Sequence, residues 1–125
     1  MADAVHLDQI REHGGLAGLR DENALESALA RPRRKWHYEE ATDLPALAAA
    51  YGLSLCRNRP YRDGNKRVAF VVMVVFLELN GLVFEAEEAE VVPVMPALED
   101  AGLSENELAT WLRTHARKPK GRGAV

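Results

Sequence analysis

The chain has little cysteine, no strongly basic balance of charge and no long apolar run. Its single cysteine, Cys56, excludes an internal disulfide and fits a reducing compartment, so we expect a cytoplasmic protein. The longest unbroken apolar run, residues 68–77, is about half as long as a membrane-spanning helix. The formal net charge of −3 argues against a dedicated nucleic-acid-binding protein, which is usually basic.

Signals for export, metal binding and nucleophilic triads are also lacking. Residues 1–10 contain neither the basic start nor the apolar stretch of a secretory signal. The cysteine and histidines do not have the spacing of a metal site, and no triad pattern stands out. At 125 residues and 47% hydrophobic content the chain fits one core. We therefore expect one domain over residues 1–116 and a flexible tail over 117–125.

A group of charged and small residues lies directly before the apolar run. Gly64 and Asn65 tolerate unusual backbone angles, which allows consecutive N–H groups to converge on one anion. The N-terminus of the helix predicted to follow adds a partial positive charge, and Lys66 and Arg67 add full charges. Asp63 is suited to hold a divalent metal that bridges phosphate oxygens. The pattern indicates a phosphate-binding site.

A simpler interpretation of the same residues is a turn. Asp-Gly is common in turns, and Asp63 is a suitable helix cap. Cations, however, are disfavoured at a helix N-terminus unless something negative binds there. Lys66 and Arg67 both lie at that end, and a bound phosphate would explain them.

This segment resembles the signature of the Fic/Doc family, and most closely that of its Doc branch. The family signature runs His-Pro-Phe-x-Asp-Gly-Asn-Lys-Arg, and this chain reads Arg59-Pro60-Tyr61-Arg62-Asp63-Gly64-Asn65-Lys66-Arg67. Residues 18–32 and 76–81 are similar to the segments on either side of that signature in Doc-type toxins. The resemblance covers residues 6–111 and implies a compact all-α bundle.

One departure from the signature concerns the reaction itself. The family uses the opening histidine as the general base that takes a proton from the target hydroxyl, and this chain has Arg59 there. A guanidinium keeps its proton at physiological pH, so it cannot serve as a base. Losing a general base typically lowers the rate by about 10²–10⁴. Of the candidates to replace it, His6, His13 and His115 are more typical of surface or core histidines. His37 is better placed, on the predicted flap, but a flexible loop positions a base poorly.

The resemblance implies a kinase-like chemistry. Doc-type proteins carry a lysine where this chain has Lys66, and they move the terminal phosphate of ATP to a hydroxyl on a translation elongation factor. By this resemblance Asp63 would hold Mg²⁺, and the backbone N–H groups of Gly64 and Asn65 would contact phosphate. Lys66 and Arg67 would neutralise the charge of the transferring group. The base at position 59 would be missing, so we expect little activity.

Two alternatives within the family remain open, together with a partner. Many Fic enzymes carry glycine at the position of Lys66 and transfer AMP, so AMP transfer is one alternative. The other is a pseudoenzyme that binds nucleotide or antitoxin without catalysis. The chain lacks the inhibitory Ser/Thr-x-x-x-Glu helix of many Fic proteins. We therefore expect a separate antitoxin that binds a groove near the motif.

The apolar spacing predicts an all-α bundle. Helices are expected over residues 4–12, 22–30 (ended by Pro32), 44–57, 65–80, 87–99 (disturbed by Pro93 and Pro96) and 104–116. Residues 68–76 have strand propensity, but their length and the following Asn80-Gly81 stop favour a helix. Because it is apolar on every face, this helix over about 65–80 should lie at the centre. Asp43 and Ser104 are expected to cap the third and last helices.

Residues 31–43 are predicted to form an exposed flap loop. The basic and aromatic residues Lys35, Trp36, His37 and Tyr38 lie in it. One interpretation is a solvated loop with its aromatics folded back, and the other is a docking site for a target protein, which the family resemblance supports. A contact with RNA is a weaker alternative because the chain is acidic overall.

Overall fold

The computed structural model describes residues 1–15, 17–38, 42–100 and 102–119. Its helices are α1 (Ala2–His13), α2 (Glu22–Tyr38), α3 (Leu44–Asn58), α4 (Asn65–Leu79), α5 (Glu88–Val91), α6 (Val94–Glu99) and α7 (Glu105–His115). Two short strands, β1 (Val83–Phe84) and β2 (Ala116–Arg117), form the only sheet in the described ranges. The predicted all-α bundle is confirmed. No helix in these ranges is both long and apolar enough to span a membrane.

The apolar segment after the motif is the central helix of the bundle. Val68, Val72, Met73 and Leu77 of α4 are completely buried, so burial outweighs the strand propensity of its β-branched residues. Helices α3 and α4 approach closely where Gly52 faces Met73. A Cβ atom added to Gly52 would lie 2.3 Å from the sulfur atom of Met73. The glycine therefore permits the contact between the two helices that flank the motif.

Local caps begin and end several helices as expected. The Asp43 carboxylate accepts a hydrogen bond from the backbone N–H of Ala46 at 2.9 Å and caps α3. Ser104 and Glu107 form a reciprocal capping box at the start of α7. Gly81, with φ of 88°, follows the end of α4. These predicted boundaries are confirmed because each depends on neighbouring residues alone.

Helix α2 differs from the prediction. Pro32 does not end it, and residues 31–38 are helical, so the flap prediction is wrong for that part. Arg31 and Lys35, one turn apart, both form ion pairs with Glu105 of α7, at 2.9 and 3.3 Å. Burial of Pro32 and these pairs offset the cost of an interior proline, roughly 3 kcal/mol. Residues 39–41 of the predicted flap lie outside the described residues.

The segment after α4 is extended and then broken into short helices. Val83 pairs with Arg117 and Phe84 with Ala116, so Arg117 belongs to the folded part and not to the predicted tail. The predicted break in residues 87–99 occurs at Pro93, between α5 and α6. Pro96 lies in the first turn of α6, where a missing N–H group removes no helical hydrogen bond. Residues 120–125 of the predicted tail lie outside the described residues.

Candidate active site

The loop between α3 and α4 opens a cleft of about 270 Å³ at the N-terminus of α4. All six residues predicted from the motif line it, and two others join them: Arg59, Arg62, Asp63, Gly64, Asn65, Lys66, Arg67 and Glu99. The cleft therefore combines four cations with two carboxylates. The end of α4 adds a partial positive charge, and its N-cap residue, Gly64, makes no side-chain capping bond.

Arg59 has an unusual backbone conformation. Its φ of 48° and ψ of 56° lie in the left-handed region, and it is the only residue other than glycine with a positive φ in the described ranges. It is the C-cap of α3, and its N–H donates to the carbonyl oxygen of Leu55 at 3.2 Å. Left-handed backbone costs about 1–2 kcal/mol for an ordinary residue. The position of the family base is therefore strained.

A second segment, residues 18–21, lies against the motif loop. The guanidinium of Arg20 donates to the carbonyl oxygens of Arg59 at 2.7 Å and Asn58 at 2.9 Å. Its backbone N–H donates to the carbonyl oxygen of Pro60 at 2.7 Å. The N–H of Arg62 donates to Gly18 at 3.1 Å. These bonds hold the first half of the loop.

Side chains of the motif hold its second half. The Asn65 amide donates to the Tyr61 carbonyl oxygen and accepts from the Tyr61 N–H, both at 2.9 Å. Gly64 is left-handed, with φ of 75°, and its N–H donates to the Asp63 carboxylate at 2.8 Å. A phosphate would have to replace that carboxylate to use the Gly64 N–H. The first turn of α4 offers further N–H groups, since a helix supplies no acceptor for them.

Helix α1 packs beneath the loop. The Tyr61 ring is buried, and its hydroxyl donates to the Asp3 carboxylate at 2.8 Å. Burial is the main reason why the pKa of Tyr61 is raised well above 10, and Asp3 adds to it. The Nε2 atom of His6 lies 3.2 Å from the carbonyl oxygen of Asp63. These contacts make α1 the support of the motif.

None of the three histidines with described side chains lines the cleft. His6 is buried below the loop, His37 lines a separate groove, and His115 packs on Trp111 with ring centres 4.8 Å apart. The side chain of His13 lies outside the described residues. No described histidine therefore occupies the place of the family base.

The charges of the cleft are only partly balanced. Lys66 lies 3.7 Å from the Glu99 carboxylate, and Arg67 lies 3.5 Å from the carbonyl oxygen of Gly14. The guanidinium groups of Arg59 and Arg62 form no ion pair with any residue that the structure describes. The cleft retains excess positive charge, which suits a polyanion.

Of the two carboxylates in this cleft, Asp63 is the candidate to hold a metal, since Glu99 pairs with Lys66. The structure shows no group of three or more metal-ligating side chains within its described ranges. Mg²⁺ bound with a nucleotide commonly uses one or two carboxylates, completed by phosphate oxygens and water. Asp63, with one oxygen bonded to Gly64, fits such a role.

The residues predicted to form a docking flap do not reach the cleft. Trp36 and His37 line an apolar groove together with Phe76 and Asn80, at the C-terminal end of α4. Lys35 is buried and pairs with Glu105. Phe76, which lines that groove, lies 11 residues after Asn65 on α4, or about 17 Å along the helix axis. The docking role stays a prediction, and the side chain of Tyr38 lies outside the described residues.

The sequence did not point to Arg20, Arg62 or Glu99 as residues of the site. Arg62 occupies the variable position of the signature. Glu99 lies 33 residues after Lys66 and reaches the cleft through the turn at the end of α6. Arg20 lies in a segment that resembles Doc-type toxins, but no local pattern links it to the loop. Such contacts arise only in the folded chain.

Fold and site together define a helical bundle that presents a cationic cleft at the start of its central helix. The Fic/DOC family model matches residues 2–77, and the chain belongs to this family. It is 36% identical over 86 residues to the protein named "Protein kinase doc" of Escherichia phage P1, covering 68% of each chain. It is 39% identical over 77 residues to the "Toxin Doc" of Mycolicibacterium smegmatis, covering 59% of this chain and 58% of that protein.

Proposed function

We propose that the chain is a Doc-type toxin scaffold for ATP-dependent transfer of a phosphate to a protein hydroxyl. We also propose that the sequence as written is nearly inactive. The observation that carries the proposal is the convergence of Arg59 and residues 62–67 on one cationic cleft at the N-terminus of α4. The names of the two relatives, a protein kinase and a toxin, support it. The family resemblance adds a translation elongation factor as target, and the single cysteine, Cys56, favours the cytoplasm as location.

The residues of the cleft have separate roles in this proposal. Lys66 and Arg67 neutralise the transferring phosphate, and the N-terminal N–H groups of α4, beginning with Asn65, bind its oxygens. Asp63 would hold Mg²⁺, which supplies further charge neutralisation when bound with the nucleotide. Phosphoryl transfer needs mainly positioning and electrostatic stabilisation, so a preorganised cleft supplies most of what the reaction requires.

Arg59 is the reason to expect little activity. It stands where the family has its base, in a left-handed backbone conformation at the end of α3, and its carbonyl oxygen accepts a hydrogen bond from Arg20. A guanidinium cannot accept the proton of a target hydroxyl at physiological pH. We expect a loss of about 10²–10⁴ in rate, as is typical when a general base is removed.

Growth and labelling assays test the proposal. Cells would express the chain, its Arg59→His variant, or a double variant that adds Asp63→Ala. Lysates would receive ATP labelled at either the γ- or the α-phosphate. We expect growth arrest and protein labelling from γ-labelled ATP for Arg59→His alone. Labelling from α-labelled ATP would instead support AMP transfer.

Silence of both the chain and Arg59→His would contradict the transferase proposal. The remaining family function is binding without catalysis, and Arg59 favours it because it adds a permanent cation to the anion cleft. Calorimetric titration with ATP tests whether the chain binds nucleotide without catalysis. The partner is tested by co-expression with the neighbouring reading frame, and failure to co-purify its product would count against an antitoxin.

A further inference from the structure

We propose that Arg20 is a positioning residue, which holds residue 59 in its left-handed conformation and so directs that side chain towards the cleft. The catalytic meaning of this role rests on the function proposed above, because position 59 is where the family base stands. The conformational role does not rest on it. Arg20 itself does not line the cleft.

The guanidinium of Arg20 spans the end of α3. Its Nε atom donates to the carbonyl oxygen of Arg59 at 2.7 Å, and its Nη2 atom donates to that of Asn58 at 2.9 Å. The last carbonyl groups of a helix lack intrahelical donors and carry its partial negative charge. A planar guanidinium with several donors satisfies two of them at once, which a single ammonium group does less well.

The orientation of these two carbonyl groups fixes the backbone of residue 59. At φ of 48° and ψ of 56°, Arg59 pays a steric penalty that glycine avoids. The bond from its own N–H to Leu55, at 3.2 Å, holds one side of the residue, and Arg20 holds the other. A left-handed residue directs its side chain differently from a helical one. Loss of the Arg20 bonds therefore allows position 59 to relax.

The backbone keeps the Arg20 segment in place without its side chain. The N–H groups of Arg20 and Asp21 both donate to the carbonyl oxygen of Pro60, at 2.7 and 3.1 Å. Leu19 and Tyr61 form an isolated antiparallel bridge beside them. Removal of the guanidinium should leave this contact intact. Arg20→Ala is therefore expected to fold and to report on the side chain alone.

A cycle of variants separates positioning from simple helix capping. The variants are Arg20→Ala, Arg59→Gly and their combination, and Arg33→Ala, an exposed arginine on α2, serves as control. Urea unfolding should show that Arg20→Ala lowers the folding equilibrium constant on the order of tenfold. With Arg59→Gly the loss should be larger, because only arginine at position 59 regains part of the lost free energy by relaxing out of the strained left-handed region. Arg33→Ala should change little.

Nuclear magnetic resonance supplies a readout that a purely structural bond would not move. The Cα and Cβ shifts of Arg59 report its backbone angles, and we expect Arg20→Ala to move them away from left-handed values. Arg20→Lys should restore them only in part. Unchanged Arg59 shifts, or a stability loss that is no larger with Arg59→Gly, would overturn the proposal. A failure of Arg59→His to transfer phosphate would count against the proposed function alone, because this test needs no activity.

Discussion

The imidazole ring of His6 stacks on the phenol ring of Tyr61, with ring centres 4.1 Å apart and planes 9° from parallel. His6 lies on α1, and Tyr61 lies within the motif. The same tyrosine donates to Asp3, also on α1. A helix with no described side chain in the cleft thus contacts the motif through two of its side chains. Changes in α1 should therefore affect the motif.

The Tyr61 hydroxyl should make the chain sensitive to alkali. Its pKa is raised in the folded state, first by burial and then by Asp3, so only the unfolded chain ionises near pH 10. The contribution of Tyr61 to stability is therefore fully present below about pH 10. It falls as the pH rises further, because the unfolded state then binds fewer protons than the folded state. Tyr61→Phe should remove much of this decline. Urea unfolding at pH 8 to 11 measures it, and Tyr51→Phe is the matched control. Equal declines in all three chains would contradict the prediction.

Asp43 should contribute to the stability of the fold at neutral pH and lose this contribution in acid. Two hydrogen bonds from Arg113, at 2.7 and 3.0 Å, hold the pKa of Asp43 below its usual 3.8. A lowered pKa contributes stability above about pH 4, and this contribution is lost as the pH falls further. Both groups are half exposed, so Asp43→Asn should cost only about 0.5–1 kcal/mol at pH 7. The difference from the unmodified chain should vanish near pH 2.

The cap function of Asp43 is separable from its charge. Asparagine caps helices about as well as aspartate, whereas alanine does not. Asp43→Ala should therefore cost about 1 kcal/mol more than Asp43→Asn, at every pH. Thermal unfolding of the two variants side by side measures the gap. Equal stabilities would show that the bond to Ala46 contributes nothing.

Cys56 should react slowly in the folded chain. Burial, with a smaller effect of the Glu99 carboxylate, raises the pKa of the thiol to about 11, and the residue is 3% exposed. The thiolate is the reactive form, so alkylation by iodoacetamide at pH 8 should be at least about tenfold slower than in urea. Mass spectrometry follows the reaction. Comparable rates in both conditions would show that the core around Cys56 opens readily.

Arg59 should strengthen the binding of anions. Its guanidinium lines the cleft and adds a permanent charge to it. At pH 8, where an ordinary histidine is mostly neutral, Arg59→His should lower the affinity for ATP several-fold, and high salt should reduce the difference. Arg33→His, remote from the cleft, is the control for a general loss of charge. The prediction fails if the histidine form binds ATP as tightly.

Local signals made much of the fold predictable. The starts of α3 and α7 depend on Asp43 and Ser104, whose partners lie three residues away. The extent of α2 was missed because its continuation past Pro32 depends on Glu105, which lies 74 residues from Arg31. No local pattern reports an ion pair of that separation.

In the candidate site, too, features set by neighbouring residues were predictable and features set by distant residues were not. The motif itself predicted which residues gather in the cleft, because they are neighbours in the chain. It did not predict the left-handed backbone of Arg59, since arginine carries no preference for positive φ. That conformation depends on Arg20, 39 residues earlier. Glu99, the partner of Lys66, was not predicted for the same reason, because it lies 33 residues away in the chain.

The contact between Gly52 and Met73 also constrains how the sequence can diverge. Any side chain at position 52 needs space that the Met73 thioether fills, so alanine there should be harmful beside methionine and acceptable beside a smaller residue. The effect of a mutation at one position thus depends on the residue already present at the other. We therefore expect a larger residue at position 52 to become less costly once position 73 carries a smaller side chain, so the order in which two such substitutions occur should matter.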